Sequence, residues 1–476
     1  MAKSKLISDI SFSAVQGIFN QLSGVLVFLI ISRQLSKAEL GNINWTLASL
    51  LLVFSALGFG LEQIAVRKTA AGNDPATLLR SYCFHVVVSG TAFLLILWVV
   101  LLILPVPRPM AWLLMGLAIS QCFSFFAIPF RQIVNGLERF KPLFVMSSIG
   151  NTIKMVGLLV LTVMQVNITL RAIVMVYLSA SFAEWILCIV VYRFVLKLPV
   201  AAGFDRRGYI LLLKEALPQF GITVLNTAMQ RMDWVLLGFL SGSVVVAEYS
   251  FTNKLFELST LPLLVIGPVL LPRIVKLFGP AVSAAGAAEK IQAFIKAEMI
   301  IAVFVALTIN LCWETVVDAL TDHKYGQSTV GILLILSFAM PLLYLNNFLW
   351  SIHFAKEKMR VIFYCILFTI GTNIVADLCL IPFLGAKGAA AGFLVATLVQ
   401  TLYYAYQTKF LTIQPFFFQA MVIVCYGTAA GLLANGLLQN FIVKEIIGSL
   451  VFFFLLIITG QMNSRDWTFF KRGTVV

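Results

Sequence analysis

Apolar runs of about twenty residues, separated by short polar breaks, fill almost the whole chain, and a helix of that length crosses a hydrocarbon core of roughly 30 Å. Fourteen such segments can be marked, at 10–32, 42–64, 81–104, 110–131, 142–165, 171–194, 216–240, 249–273, 291–314, 329–354, 361–383, 388–408, 416–438 and 442–460. The pattern predicts an all-α membrane protein, a polytopic bundle of about 14 transmembrane helices. An even number of crossings puts both termini on one side.

Two segments depart from this uniform pattern and organise the rest. The seventh, Ala216 to Leu240, holds Arg231 and Asp233 near mid-span; the eighth, beginning at Tyr249, holds Lys254 and Glu257 and is interrupted by Pro262, Pro268 and Pro272. Each proline removes a backbone donor and clashes with the carbonyl four residues back, so a kink is expected there. Ionisable groups at bilayer depth cost at least ~2.5 to 3.5 kcal/mol on insertion scales and are normally turned toward protein or a hydrated cavity.

Composition agrees with the pattern: 61% of the 476 residues are hydrophobic and 11% charged, against about 25% charged in soluble domains. The net charge of +14 would suggest nucleic acid in a soluble protein, but its distribution gives an orientation signal instead. Of the 34 lysines and arginines, counting those near segment ends (Lys296 among them) with the adjoining loop, 24 fall on the side holding the termini, 7 on the other, and 3 (Lys154, Arg231 and Lys254) remain inside segments. Basic loops stay cytoplasmic, so both tails are expected inside, with the loops in contact with anionic membrane lipids.

The first lysines precede an apolar run too long for a signal peptide and without a small-residue cleavage site, so a retained first helix is expected. Gln16, Asn20 and Gln21 share one flank of it, which suits either helix-to-helix hydrogen bonds or a polar cavity wall. Glu62 stands close to Arg67 and Lys68 and is expected to pair with them at the interface. Outward turns are short throughout, leaving no room for the external catalytic loop of a membrane glycosyltransferase or polymerase. The longest inward connection, 197–215, carries Arg206, Arg207 and the apolar run Tyr209 to Leu213, and is expected to form an amphipathic linker at the cytoplasmic interface.

That linker follows six segments and invites a search for repeats. Ile149-Gly150-Asn151-Thr152-Ile153 resembles Ile370-Gly371-Thr372-Asn373-Ile374, and a basic cluster precedes each. The expected division is a six-helix lobe over 1–196, the linker 197–215, a second six-helix lobe over 216–410, and two further helices with a cytoplasmic tail over 411–476.

Seven intramembrane ionisable residues then stand out. Lys154, Glu184, Arg231 and Asp233 lie near the centres of their segments, and Lys254, Glu257 and Asp377 toward the outer halves. Lys254 and Glu257 are i, i+3 neighbours able to pair, whereas Arg231 and Asp233 point in different directions. The set reads either as structural ion pairs between helices or as a cationic path in which Lys154, Arg231 and Lys254 meet an anionic group, with Asp233, Glu257, Glu184 and Asp377 balancing them or binding a coupling ion. Arginine matches phosphate oxygens bidentately and lysine acts as a point charge.

Motifs for covalent chemistry are missing. No P-loop occurs. His85, His323 and His353 are scattered without metal spacing, and Cys83, Cys122, Cys188, Cys312, Cys365, Cys379 and Cys425 sit in apolar runs without CxxC pairing. No metal site, no cofactor and no enzymatic activity are expected.

Four stretches carry a family resemblance: residues 31–68, beginning Ile31-Ser32-Arg33-Gln34-Leu35-Ser36; residues 134–154, Val134-Asn135-Gly136-Leu137 onward; residues 231–279, from Arg231-Met232-Asp233-Trp234; and residues 380–404, Leu380-Ile381-Pro382-Phe383 onward. In this order they resemble the polysaccharide-biosynthesis flippases, the O-antigen and capsule transporters of the multidrug/oligosaccharidyl-lipid/polysaccharide superfamily. The resemblance implies two six-helix lobes around a central cavity that opens alternately to either side. It also implies a cargo, an oligosaccharide repeat unit on an undecaprenyl-pyrophosphate carrier, moved across a bacterial inner membrane beside glycosyltransferases and a polymerase, with H⁺ or Na⁺ as coupling ion. An ion-coupled drug antiporter shares the fold, but cationic drugs favour acidic linings. A lipid II flippase is nearer, although the first helix lacks a central Arg-Asp pair, and a membrane-embedded glycan-processing enzyme is the alternative of a different class.

Overall fold

The computed structural model describes residues 2–165, 168–199, 205–263, 274, 284–408, 414–437 and 440–462. Fifteen α-helices run through it: α1 Ala2–Gln34, α2 Lys37–Leu57, α3 Leu61–Ala70, α4 Pro75–Ile103, α5 Arg108–Gly136, α6 Phe140–Val163, α7 Leu170–Val190, α8 Arg206–Leu240, α9 Ser243–Phe256, α10 Ala284–Thr321, α11 Gly326–Ala355, α12 Met359–Leu384, α13 Ala386–Gln407, α14 Gln414–Leu437 and α15 Phe441–Ile458. A helix stands at the place of each of the fourteen apolar segments. Among the described residues, twelve helices are long and apolar enough to cross a membrane. α3 is too short, α8 too polar, and α9 too short within the described residues, since Pro268, Pro272 and the rest of the eighth segment, 264–273, lie outside them.

The second segment is two helices. Phe59 and Gly60 adopt left-handed backbone (φ 51° and 69°) between α2 and α3. A Cβ at Gly60 would come within 2.6 Å of the Phe220 backbone nitrogen, so glycine serves both the positive φ and the close approach of α8. Phe59 stacks on Phe220 with ring centroids 4.8 Å apart.

α9 tightens into a 3-10 turn over Glu257–Thr260 just before Pro262. Pro262 has no N–H to give the Leu258 carbonyl, and the Leu261 N–H takes that place. The Ser259 and Thr260 hydroxyls cover the Phe256 and Glu257 carbonyls at 2.5 and 2.7 Å. Local hydroxyl bonds thus replace the helical ladder where the kink was expected.

The chain divides into two compact units, 1–247 and 248–476. The boundary falls beyond the 197–215 linker because α8 packs along α2 and α3. Residues 206–215 form the first turns of α8 itself, continuous with the seventh segment; 200–204 lie outside the described residues. Tyr209 hydrogen-bonds His85 Nδ1 at 2.9 Å, and burial pushes its phenol above the usual range. Glu215 pairs with Lys68 at 2.9 Å and Arg67 at 3.5 Å.

Glu62 was expected to take those two cations and does not. Five and six residues along a helix place Arg67 and Lys68 on other faces from Glu62. Its Oε2 instead accepts from Gln132 Nε2 at 3.2 Å.

At the other end of the α2–α8 seam, Trp45 Nε1 donates to the Val235 carbonyl at 3.2 Å, and its indole lies on Gly238 with no room for a side chain between them. Gly238→Ala is therefore expected to destabilise the protein by about 1–3 kcal/mol through overpacking. Trp45→Ala in the same chain should remove that penalty. Thermal unfolding in detergent checks this, and equal penalties for Gly238→Ala with and without Trp45 would contradict it.

Candidate transport site

The first unit gathers its buried polar groups where α5, α6 and α7 meet. Glu184 of α7 is 5% exposed and forms an ion pair with Arg131 Nη1 of α5. Ser124 Oγ donates to Glu184 Oε2 at 3.1 Å and lies 3.0 Å from Ser181 Oγ. Ser120, one turn earlier on α5, lies 2.9 Å from the same Ser181 hydroxyl and donates to the Tyr177 carbonyl at 2.9 Å. The spacing 120, 124 on α5 and 177, 181, 184 on α7 is the i, i+3/i+4 stripe of one helix face, so the two faces lock through hydroxyls around the carboxylate.

α6 closes the third side. A Cβ at Gly150 would sit 2.7 Å from Glu184 Oε2, so any larger residue there would push the carboxylate out of its present place. Lys154, one turn on, holds its ammonium 4.8 Å from the centroid of the Tyr177 ring and interacts electrostatically with both Glu184 and Arg131. Such a cation–π contact contributes about 0.5–2 kcal/mol, more as it is desolvated. Asn151 Nδ2 donates to Asn20 Oδ1 of α1 at 3.4 Å, extending the polar strip to the first helix. Gln16 lies half-buried one turn before Asn20.

The expected site residues thus fall into separate settings. Lys154, Glu184 and Asn20 join one polar region of the first unit. Arg231, also of the first unit, lies over the Trp234 ring at 4.5 Å and donates to the Gln230 carbonyl at 3.2 Å. Asp233 on the same helix is 3% exposed. Lys254 and Glu257 belong to the second unit and pair at 2.9 Å, as their i, i+3 spacing allows. Asp377 of α12 is fully buried against Gly392 of α13.

Arg131 is the member of this polar cluster that the sequence reading missed. It marks the end of the fourth segment if the first charge is taken as the interface, yet α5 continues to Gly136. Two cations, Arg131 and Lys154, therefore flank the Glu184 carboxylate, and Glu62 of α3 also acts electrostatically on Arg131. The two repeat-like pentapeptides also differ in use, since Gly150 is buried on Glu184 while a Cβ at Gly371 would meet nothing within 4 Å.

The sequence model of the family described as polysaccharide biosynthesis protein matches residues 6–278, more than half of the chain. The chain belongs to that family. No curated protein matches it. Its fold is similar to that of the lipid II flippase MurJ in an inward closed conformation, with TM-score 0.75 at 15% identity over 94% of this chain and 98% of that one. It is also similar to an inward-facing multidrug resistance MATE family transporter of the MOP superfamily, with TM-score 0.63 at 14% identity over 82% and 95%. A third solved structure, a MOP superfamily transporter from Pyrococcus furiosus described as having a binding pocket of reversed polarity, gives TM-score 0.58 at 12% identity over 85% and 94%. These likenesses show that the chain has the fold of those proteins, and its apolar helices make it a multi-pass membrane protein.

Removing one partner of a buried ion pair strands the other charge at a cost of about 3–5 kcal/mol. Glu184→Ala is expected to lower stability by that order, and Glu184→Ala combined with Arg131→Ala by less than the two single losses together. Thermal melts of the four proteins in one detergent decide it, and simple additivity would show that the pair contributes nothing as a pair.

Proposed function

We propose that this chain is a flippase that carries a lipid-linked oligosaccharide repeat unit, of the undecaprenyl-pyrophosphate type, across a bacterial inner membrane for O-antigen, capsule or exopolysaccharide assembly. Both termini face the cytoplasm, as the loop charges favour. The observation that carries the proposal is the Arg131–Lys154–Glu184 cluster in the membrane-spanning helices of a polysaccharide biosynthesis family member. A pyrophosphate head with many hydroxyls cannot enter hydrocarbon unaided, so it needs fixed cations and hydrogen-bonding groups at bilayer depth.

In this reading Lys154, held over Tyr177 instead of in a direct bond to Glu184, offers its ammonium to a phosphate oxygen. Arg131 is anchored by Glu184 and sets the local potential. Within the first unit Arg231 supplies a further cation, with Asp233 to balance it; within the second, Lys254 does so, with Glu257 and Asp377 to balance it. The cycle is a binding and release of an intact cargo without covalent change, so the chain is a carrier and not an enzyme. Glycosyltransferases that build the repeat unit and a polymerase that consumes it are the partners this role calls for.

A strain lacking the protein should accumulate lipid-linked repeat units on the cytoplasmic leaflet, measured as repeat units inaccessible to a lectin in spheroplasts. Lys154→Ala at normal protein level should lower export about 10- to 100-fold, the worth of one charge-assisted hydrogen bond of roughly 1.5–3 kcal/mol. Lys154→Arg should retain most of it. Unaltered export in Lys154→Ala and Arg231→Ala would contradict the cationic path, and a glycan of altered structure in the deletion strain would indicate an enzyme.

A further inference from the structure

The second unit contains a carboxyl group that the polar clusters do not explain. Glu298 sits in α10, within the stretch 290–321 that is apolar enough to cross a membrane. It is 4% exposed, and neither carboxyl oxygen has a hydrogen-bond partner among the described residues. Ile291, Ile295, Met299 and Val303 on the same helix belong to one apolar core with Leu345, Phe348 and Ile352 of α11.

Among the described residues, the groups around it offer little charge. The Tyr344 phenol of α11 interacts with Glu298 but donates its own proton to the Ser259 carbonyl at 2.9 Å. In the 3-10 turn packed on α10, Glu257 is paired to Lys254. On α11, His353 is bonded to Thr408 at 3.1 Å, nine residues beyond Tyr344. α14 has no Asp, Glu, Lys, Arg or His. On α15, Glu445 lies beside Cys312 at 3.5 Å, about 21 Å along α10 from Glu298, and Lys444 is its neighbour in sequence. On α10 itself, Lys296 is about 200° round the helix and Lys290 about two turns away.

An ionised carboxylate with no donor in such a core is opposed by a desolvation cost of several kcal/mol, whereas the neutral acid is not. A hard metal cation asks for about six or more oxygen ligands, and no group of three His, Cys, Asp or Glu able to hold a metal occurs among the described residues. The ligand that fits is a proton.

We infer that Glu298 is the proton-binding site of the transport cycle. It holds one proton as the neutral acid in this conformation and gives it to water when the packing of α10 against α11 opens. The carboxylate left behind is then hydrated, and reclosure requires a proton to be taken up again, so one proton is exchanged per cycle. This rests on the carrier reading above. Glu298→Gln imitates the protonated acid and fits the apolar site, yet cannot release a proton.

Two measurements on the full chain test it. In proteoliposomes, dicyclohexylcarbodiimide enters apolar regions and adds a protonated carboxyl across one of its N=C bonds, the proton going to nitrogen and the oxygen to carbon. Peptide mass spectrometry should find the adduct on Glu298, declining as pH is raised and absent from Glu298→Gln. No adduct at any pH overturns the proposal. In the deletion strain, Glu298→Gln at wild-type protein level should lose export at least tenfold while Glu298→Asp retains more. Wild-type export by Glu298→Gln overturns the proton site and leaves the flippase reading standing. Normal export without the protein overturns the flippase reading, and the labelling result still reports on Glu298.

Discussion

Charge inside the bilayer is the constraint on which the rest of this structure depends. Each charged side chain in a spanning helix has to be matched by an opposite charge, a hydrogen-bond donor or a polarisable ring, or else give up its charge. The first unit meets it at Glu184, where Arg131, Ser124 and the nearby Lys154 surround the carboxylate. That requirement fixes the faces of α5, α6 and α7. It leaves no room for a side chain at Gly150 while the carboxylate keeps its position, and it places Ser120, Ser124 and Ser181 where bulkier residues would hold the helices apart.

The same constraint explains why helix contacts rely on small residues. Between lipid-solvated helices, apolar burial offers little preference for protein over lipid, so close packing and hydrogen bonds decide association. Gly238 beneath Trp45, Gly60 beside Phe220 and Gly150 beside Glu184 are three such approaches. Each joins a glycine to a polar or aromatic group on the neighbouring helix, and each would be lost on adding one methyl group. The α2–α8 seam made this way carries α8 into the first unit, with Glu215 bound to Lys68 at its far end.

Much of the fold was legible because twenty-residue apolar runs carry their own signal. The Phe59–Gly60 break was not, since the apolar run of α2 reaches Leu61 across it and only the Gly58/Gly60 pair marked the place. Lys254 and Glu257 were legible as a pair because both ends lie on one helix. Arg131 and Glu62 were misread for the opposite reason: their partners are on other helices, and sequence proximity pointed to the interface or to Arg67 and Lys68. Glu298 stood in plain view as the acid of an apolar segment, but its isolation is a tertiary fact.

The central claim is that Lys154 stands on a hydrated path open to an anionic cargo. Lys154→Cys, introduced into a chain lacking its seven native cysteines and reconstituted in liposomes, tests it directly through reaction with a charged, membrane-impermeant thiol reagent. The account predicts modification by that reagent and its suppression by a pyrophosphate-bearing polyprenyl lipid. Modification only by lipid-soluble reagents, unchanged by the pyrophosphate lipid, would contradict it.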